Sequence, residues 1–198
     1  INEHIVKLAV PAVIGYFFHT MFNVTDTIFA GMISTQALAA LSLSGSIFFM
    51  VLAIGIGMSE AVTSLVGNAF GKKDIEKAEQ TVLNSVVFAV ILSIFLTITG
   101  LFGVPYLVDA LGDPSYVVET YEYINPILYG SFLFIVAFFL NAILNAMGDT
   151  ISFRNILIFT AILNVFLDYI FIIEFHLGVS AIAYATIISE SITVIYLF

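Results

Sequence analysis

Asn164-Val-Phe-Leu-Asp-Tyr-Ile-Phe-Ile172 sets one carboxylate, Asp168, inside an apolar run that reaches from Ile156 to Ile173. The run is long enough to cross a bilayer, which takes about 20 mostly apolar residues, and the rest of the chain has the same character. Of its 198 residues, 61% are hydrophobic and only 10% charged, and the mean hydropathy is +1.13. A soluble domain averages roughly 45–50% apolar and 25% charged. Nineteen charged side chains cannot cover the surface of a soluble fold of this size, so the chain reads as an all-α, polytopic membrane protein. No cysteine is present, which excludes disulfide and thiol chemistry. The five Lys and Arg residues make nucleic acid a poor partner. The net charge of −9 says little about partners, because most acids sit within spans or at their ends. The chain starts at Ile1 without Met, stops at Phe198 inside an apolar run and has no cleavable signal pattern, so residues 1–198 are expected to be one transmembrane unit cut from something longer.

Polar punctuation divides the sequence into six spans: Ile5–Ile33, Leu38–Phe70, Thr81–Leu107, Val118–Met147, Ile151–Glu174 and Val179–Phe198. The connections are short and carry turn residues, such as Gly112-Asp-Pro-Ser115 and Gly148-Asp-Thr150, so neighbouring helices run antiparallel. Lys7, Lys72, Lys73, Lys77 and Arg154 all fall on one side, whereas the opposite connections hold only acids such as Asp109, Asp113 and Glu119. The positive-inside rule puts that basic side, and the N-terminus, in the cytoplasm, with the spans in the cell's inner (plasma) membrane. Tyr106, Tyr116, Tyr121 and Tyr123 are expected as interfacial aromatics on the outer side.

A carboxylate at the centre of a membrane helix costs roughly 2.5–3.5 kcal/mol on insertion scales. Two acids therefore stand out: Asp26, in the polar patch Phe22-Asn-Val-Thr-Asp-Thr27, and Asp168. Asn164 is one helical turn before Asp168, and residues four apart share a face, so a carboxylate and an amide oxygen are presented together. Low dielectric favours the neutral acid, and the same oxygens suit a hard cation such as Na⁺ by the logic written for Ca²⁺ and Mg²⁺. Either event changes a buried charge. Glu190 lies deep in the sixth span; Glu60, about two turns from the basic loop, is expected near water or paired with Lys72 or Lys73; Glu119 and Glu174 are expected to be solvated; His19 is expected to pack among aromatics rather than bind metal. No metal-ligand spacing is present. Pro11 interrupts the first span, where it removes a helix hydrogen bond and bends the helix.

Five further stretches occur in order. Val24-Thr-Asp-Thr-Ile-Phe-Ala-Gly31 is followed by Ala37-Leu-Ala-Ala-Leu41; then come Gly67-Asn-Ala-Phe-Gly-Lys-Lys-Asp74, Leu111-Gly-Asp-Pro114, Asn145-Ala-Met-Gly-Asp-Thr150 and Gly178-Val-Ser-Ala-Ile-Ala-Tyr-Ala-Thr186. Together they resemble the N-terminal six-helix lobe of the multidrug and toxic compound extrusion (MATE) transporters, DinF-like branch. The resemblance implies one half of a twelve-helix fold, with a C-terminal lobe outside this sequence. It implies secondary antiport: export of small amphipathic or cationic organic compounds in exchange for H⁺ or Na⁺, with the lipid bilayer as medium and no enzymatic activity or cofactor. By position, Asp26, Asn164, Asp168 and Thr186 would form the ion-coupling site, also the possible Na⁺ site. Tyr123 and Asn141 would line the cavity or its hydrogen-bond network, and Pro11 would be the helix-bend proline. Glu190 stands where the family often has glutamine and adds a carboxylate to that cavity.

Two competing readings remain beside it. A lipid-linked oligosaccharide flippase of the same superfamily would share the helices but needs a more cationic cavity than Arg154 and edge lysines provide. An intramembrane aspartyl protease also needs two membrane aspartates, but the order here is Asp168-Tyr169, and Ala146-Met-Gly-Asp149 lies in a loop on the charged side.

Overall fold

The computed structural model describes residues 2–198, with side chains from residue 9 onward; Lys7, used above for orientation, lies outside the described side chains. Six α-helices follow one another: α1 Asn2–Ile33, α2 Thr35–Gly71, α3 Ile75–Leu111, α4 Val117–Ala146, α5 Ile151–Asp168 and α6 Ser180–Leu197. A π-helical segment, Tyr169–Glu174, continues α5. No strand occurs among the described residues.

Local chemistry sets several of the boundaries. The Ser34 hydroxyl accepts the Ala37 amide at 2.9 Å and the Asp74 carboxylate accepts that of Lys77 at 3.1 Å, so α2 and α3 each start on a side-chain cap. These caps lie earlier than the expected starts at Leu38 and Thr81, because hydropathy registers only the part of a helix inside the bilayer. At 37 residues each and about 1.5 Å per residue, α2 and α3 are roughly 55 Å long, against a hydrocarbon core of about 30 Å.

Among the described residues, five helices are long and apolar enough to span a membrane: α2, α3, α4, α6 and α5 with its π extension. The first expected span forms as one continuous helix, α1, with Pro11 inside it, and His19, Thr20, Asn23, Thr25, Asp26 and Thr27 place polar groups along its second half. Its polar face needs protein rather than lipid around it.

The centre of the bundle is α4, packed against α2, α3 and α6, while α1 packs mainly on α5. Gly130 permits the close approach of α4 to α6, since a Cβ there would meet Ile187 Cγ1 at 2.9 Å. The cores interdigitate Ile47, Phe48, Ile124, Ile127, Leu128 and Ile182 in one region, and Val66, Ile135 and Phe139 in another. Outward-facing Leu65, Phe95, Phe102 and Ile195 are exposed on the bundle, the pattern of a multi-pass membrane protein whose surface meets acyl chains.

Of the expected interfacial tyrosines, Tyr106 is exposed, and Tyr121 donates to Asp109 at 2.7 Å at the end of the bundle where α3 meets α4. Tyr123 departs from that expectation: it is buried in the interior.

The α4–α5 turn is built by Asp149, which accepts the amides of Ile151 and Ser152, both at 3.0 Å, and the Ser152 hydroxyl. Gly148 just before it takes φ +86, the left-handed region that glycine enters without strain. The Ser152 hydroxyl, then its backbone N–H, hold the Asp149 carboxyl below the usual aspartate range. A depressed acid stabilises the fold fully above the unfolded value of about 3.9 and loses that contribution as pH falls through the lower, folded value. Asp149→Ala is thus expected to lower stability by about 1 kcal/mol near neutrality, with the difference vanishing in strong acid; thermal melts of both proteins across pH check it.

Candidate functional site

Three helices and the central α4 converge on Asp26. Its side chain is almost wholly buried, as are those of Asn164, Asp168 and Thr186. The polar patch of α1 aims Asp26 inward, where its Oδ2 accepts the Thr186 hydroxyl of α6 at 3.0 Å. A longer contact of 3.5 Å reaches the same oxygen from the Tyr123 hydroxyl on α4. Behind Thr186, the Asn164 Nδ2 of α5 donates to its Oγ1 at 3.4 Å. A chain of donors thus runs Asn164 to Thr186 to Asp26 and ties α5, α6 and α1 together. Asp168 shares its helix face with Asn164, one turn on, and is the last α-helical residue before the π segment.

The site is short of donors. Asp26 Oδ1, both Asp168 carboxylate oxygens and Asn164 Oδ1 are buried and accept no hydrogen bond. An ionised carboxylate sealed from water without a partner costs several kcal/mol, and buried polar atoms are normally satisfied. Four unpartnered oxygens on two acids and an amide therefore form an acceptor-rich cluster that a proton or a hard monovalent cation would complete.

Asp26, Tyr123, Thr186 and Glu190 line a pocket of ≈ 90 Å³, room for an ion and a few waters at about 30 Å³ per water. Glu190, one turn beyond Thr186 on α6, is buried and faces the same pocket. Among the described residues, no lysine or arginine lines it.

Asn141 is set apart from this cluster. It is buried on α4 and lines a different chamber, between α1, α2 and α4, with its Oδ1 unpartnered. Pro11 is buried in α1, 15 residues before Asp26. His19 packs as expected, with ring centroids 5.8 Å from Phe138 and 6.4 Å from Phe22, but it also lines the pocket at Asp26, as does Asn23. The polar patch Phe22–Thr27 was the available signal for Asn23; nothing in the sequence marked His19 as a wall of this pocket. The π-helical turn after Asp168 was also unforeseen. Such turns are often associated with functional sites, and its run of aromatic and β-branched residues is weakly helix-forming.

Comparison with known proteins places this geometry among relatives. The family model MatE matches residues 11–170. The chain is 32% identical over 197 residues to "Probable multidrug resistance protein NorM" of Thermotoga maritima, a match covering 96% of this chain and 42% of that protein. It is 27% identical to "Probable multidrug resistance protein YpnP" of Bacillus subtilis, covering 98% and 44%. A crystal structure of MATE in the bent conformation superposes with a TM-score of 0.93 at 28% identity, over 99% of this chain and 44% of that one. The chain spans less than half the length of the curated relatives it matches.

Proposed function

The chain belongs to the MatE family, and on that premise we propose that it is the ion-coupling lobe of a secondary antiporter that exports amphipathic organic cations in exchange for H⁺ or Na⁺. The observation that carries this reading is the cluster of unpartnered buried oxygens on Asp26, Asn164 and Asp168. Thr160, buried on the same α5, accepts the Thr193 hydroxyl at 3.4 Å, whereas these oxygens have no such donor. The lobe works with a second six-helix lobe that follows it, the two moving about a shared cavity, in the cell's inner membrane with the N-terminus in the cytoplasm. The protein is a transporter and not an enzyme.

The cycle follows from charge. With no ion bound, the acids carry charge and the lobe favours a state open to an organic cation. Ion entry from outside neutralises the cluster and favours the opposite state, from which the substrate leaves; ion and substrate must prefer opposite states for exchange to occur. Residues Asp26 and Asp168 hold the ion, Asn164 and Thr186 orient it, Tyr123 and Glu190 border its entry, and α1, weakened at Pro11, moves. A membrane potential contributes about 2.3 kcal/mol per charge per 100 mV, enough to drive that change. The absence, among the described residues, of lysine and arginine around the Asp26 and Asn141 chambers favours a cationic substrate over an anionic lipid-linked sugar.

Efflux of ethidium from vesicles carrying the full-length protein, driven separately by a pH gradient and by a Na⁺ gradient, tests the reading. One gradient is expected to drive efflux and thereby to identify the ion. Efflux indifferent to both would overturn the proposal.

A further inference from the structure

Pro126 lies inside α4 and has no N–H to give the Glu122 carbonyl one turn before it. Gly130, one turn after it, carries no side chain. Beside these two residues the bundle surface opens into a groove of ≈ 630 Å³, lined by residues of α4 and α6 alone. At 3.6 residues per turn, Asn125, Tyr129 and Phe132 of the groove lie at least about 120° round α4 from Tyr123, Ile127 and Phe134, which border the ion pocket. The groove therefore opens on the flank turned away from that pocket and from the cavity proposed to be shared with a second lobe.

Its depth in the membrane follows from helix length. Helix α4 has 30 residues, about 45 Å at 1.5 Å each, so a hydrocarbon core of about 30 Å centred on it begins about five residues in, at Glu122. From there the groove runs about 16 Å, Glu122 to Leu133 on α4 and Ser180 to Ser191 on α6. That is the depth of one leaflet.

The two ends of the groove differ in chemistry. At the mouth the Glu122 carboxylate is exposed and reaches the turn into α6, where a Cβ on Gly178 would lie 3.9 Å from its Oε2. Tyr121 beside it donates to Asp109 at 2.7 Å, so a second carboxylate backs the same end. Among the described residues, no lysine or arginine lines the groove. Donors come from the Asn125 amide and the Ser180, Tyr129 and Tyr184 hydroxyls; side chains on both helices lean towards their N-termini, which is this end. Deeper, Ser191 gives its proton to the Ile187 carbonyl at 2.7 Å, and the walls are Phe132, Leu133 and Ile187.

We propose that this groove holds one aminophospholipid of the leaflet at the acidic end, with its ammonium on Glu122, its phosphate on the donors of Asn125, Ser180 and Tyr184, and an acyl chain along Phe132, Leu133 and Ile187. An anionic headgroup would meet carboxylates without a cation to balance it, and a choline headgroup has no N–H to give Glu122. The inference rests on the antiport reading only for naming that leaflet the outer one; its binding chemistry is independent of transport.

Native mass spectrometry of the full-length protein, titrated with phosphatidylethanolamine, phosphatidylcholine and phosphatidylglycerol of identical acyl chains, reads the first lipid bound. Wild type is expected to bind phosphatidylethanolamine about tenfold more tightly than the other two, and Glu122→Gln to cut that preference below about twofold, since charge-assisted hydrogen bonds are the strong ones. Glu119→Gln removes a neighbouring carboxylate outside the groove and is expected to keep the preference. Glu122 is exposed and glutamine has its shape, so Glu122→Gln folds normally, and an unchanged elution profile confirms it. Equal binding of all the lipids by wild type, a preference unaltered in Glu122→Gln, or an equal loss in Glu119→Gln would overturn the site. A Glu122-dependent preference in a protein that shows no gradient-driven efflux would support the groove and overturn only the antiport reading.

Discussion

Asp168→Asn is expected to stop gradient-driven export while leaving the lobe at least as stable as before. The substitution keeps shape and volume, and it replaces a carboxyl whose two oxygens both lack donors by a neutral amide that can donate to Asn164 Oδ1 or its surroundings. Removing a buried, unpaired acid is normally neutral or stabilising, so the melting temperature should hold or rise. Transport should fall by the whole coupling factor, about 5- to 150-fold for a coupling free energy of ~1–3 kcal/mol, because an amide can neither gain a proton nor balance Na⁺. Efflux assays and thermal melts on the same preparation check both halves. Normal export by Asp168→Asn would reduce Asp168 to a packing residue.

Thr186→Val separates the two candidate ions by the sign of its effect. The Thr186 hydroxyl donates to Asp26 Oδ2 at 3.0 Å, a bond that stabilises the ion-free carboxylate by about 1.5–3 kcal/mol. Valine has the same shape without the donor. If H⁺ is the coupling ion, the proton is then held more tightly, and half-maximal export moves to higher pH. For Na⁺, the same substitution removes an oxygen ligand, and more Na⁺ is needed. Either displacement should be on the order of 10-fold or more in ion concentration, and export measured against pH and against Na⁺ reads it directly. A variant with unchanged dependence on both ions would show that Thr186 has no part in coupling.

Much of this site is legible in the residues themselves. A carboxylate in an apolar run is costly enough to be conspicuous, which marks Asp26 and Asp168, and the four-residue spacing marks Asn164. Thr186 is not legible in that way, since a threonine in a membrane helix ordinarily bonds its own backbone, as Thr20 and Thr27 do; only the family resemblance singled it out. The chamber that Asn141 lines was hidden for a different reason. Helix α2 is apolar almost all round its axis, so no amphipathic pattern indicates which side faces protein and which faces lipid. The π-helical turn after Asp168 leaves no periodic signature, because six residues are too few to distinguish its spacing from that of an α-helix. The resemblance gave Asn141 to the cavity or its hydrogen-bond network, and its side chain opens to the chamber beside the Asp26 pocket.

The bond between Asp26 and Thr186 joins residues 160 apart in the chain, which has a consequence for how the molecule is made. A ribosome adds ~5–20 residues per second, so roughly 8–32 s separate the synthesis of the acid from that of its donor. For most of that interval α5, the helix α1 mainly packs against, is still to be made. Of the six helices described, the earliest made therefore settles late, and chaperoning α1 until α5 and α6 arrive is a task for the insertion machinery.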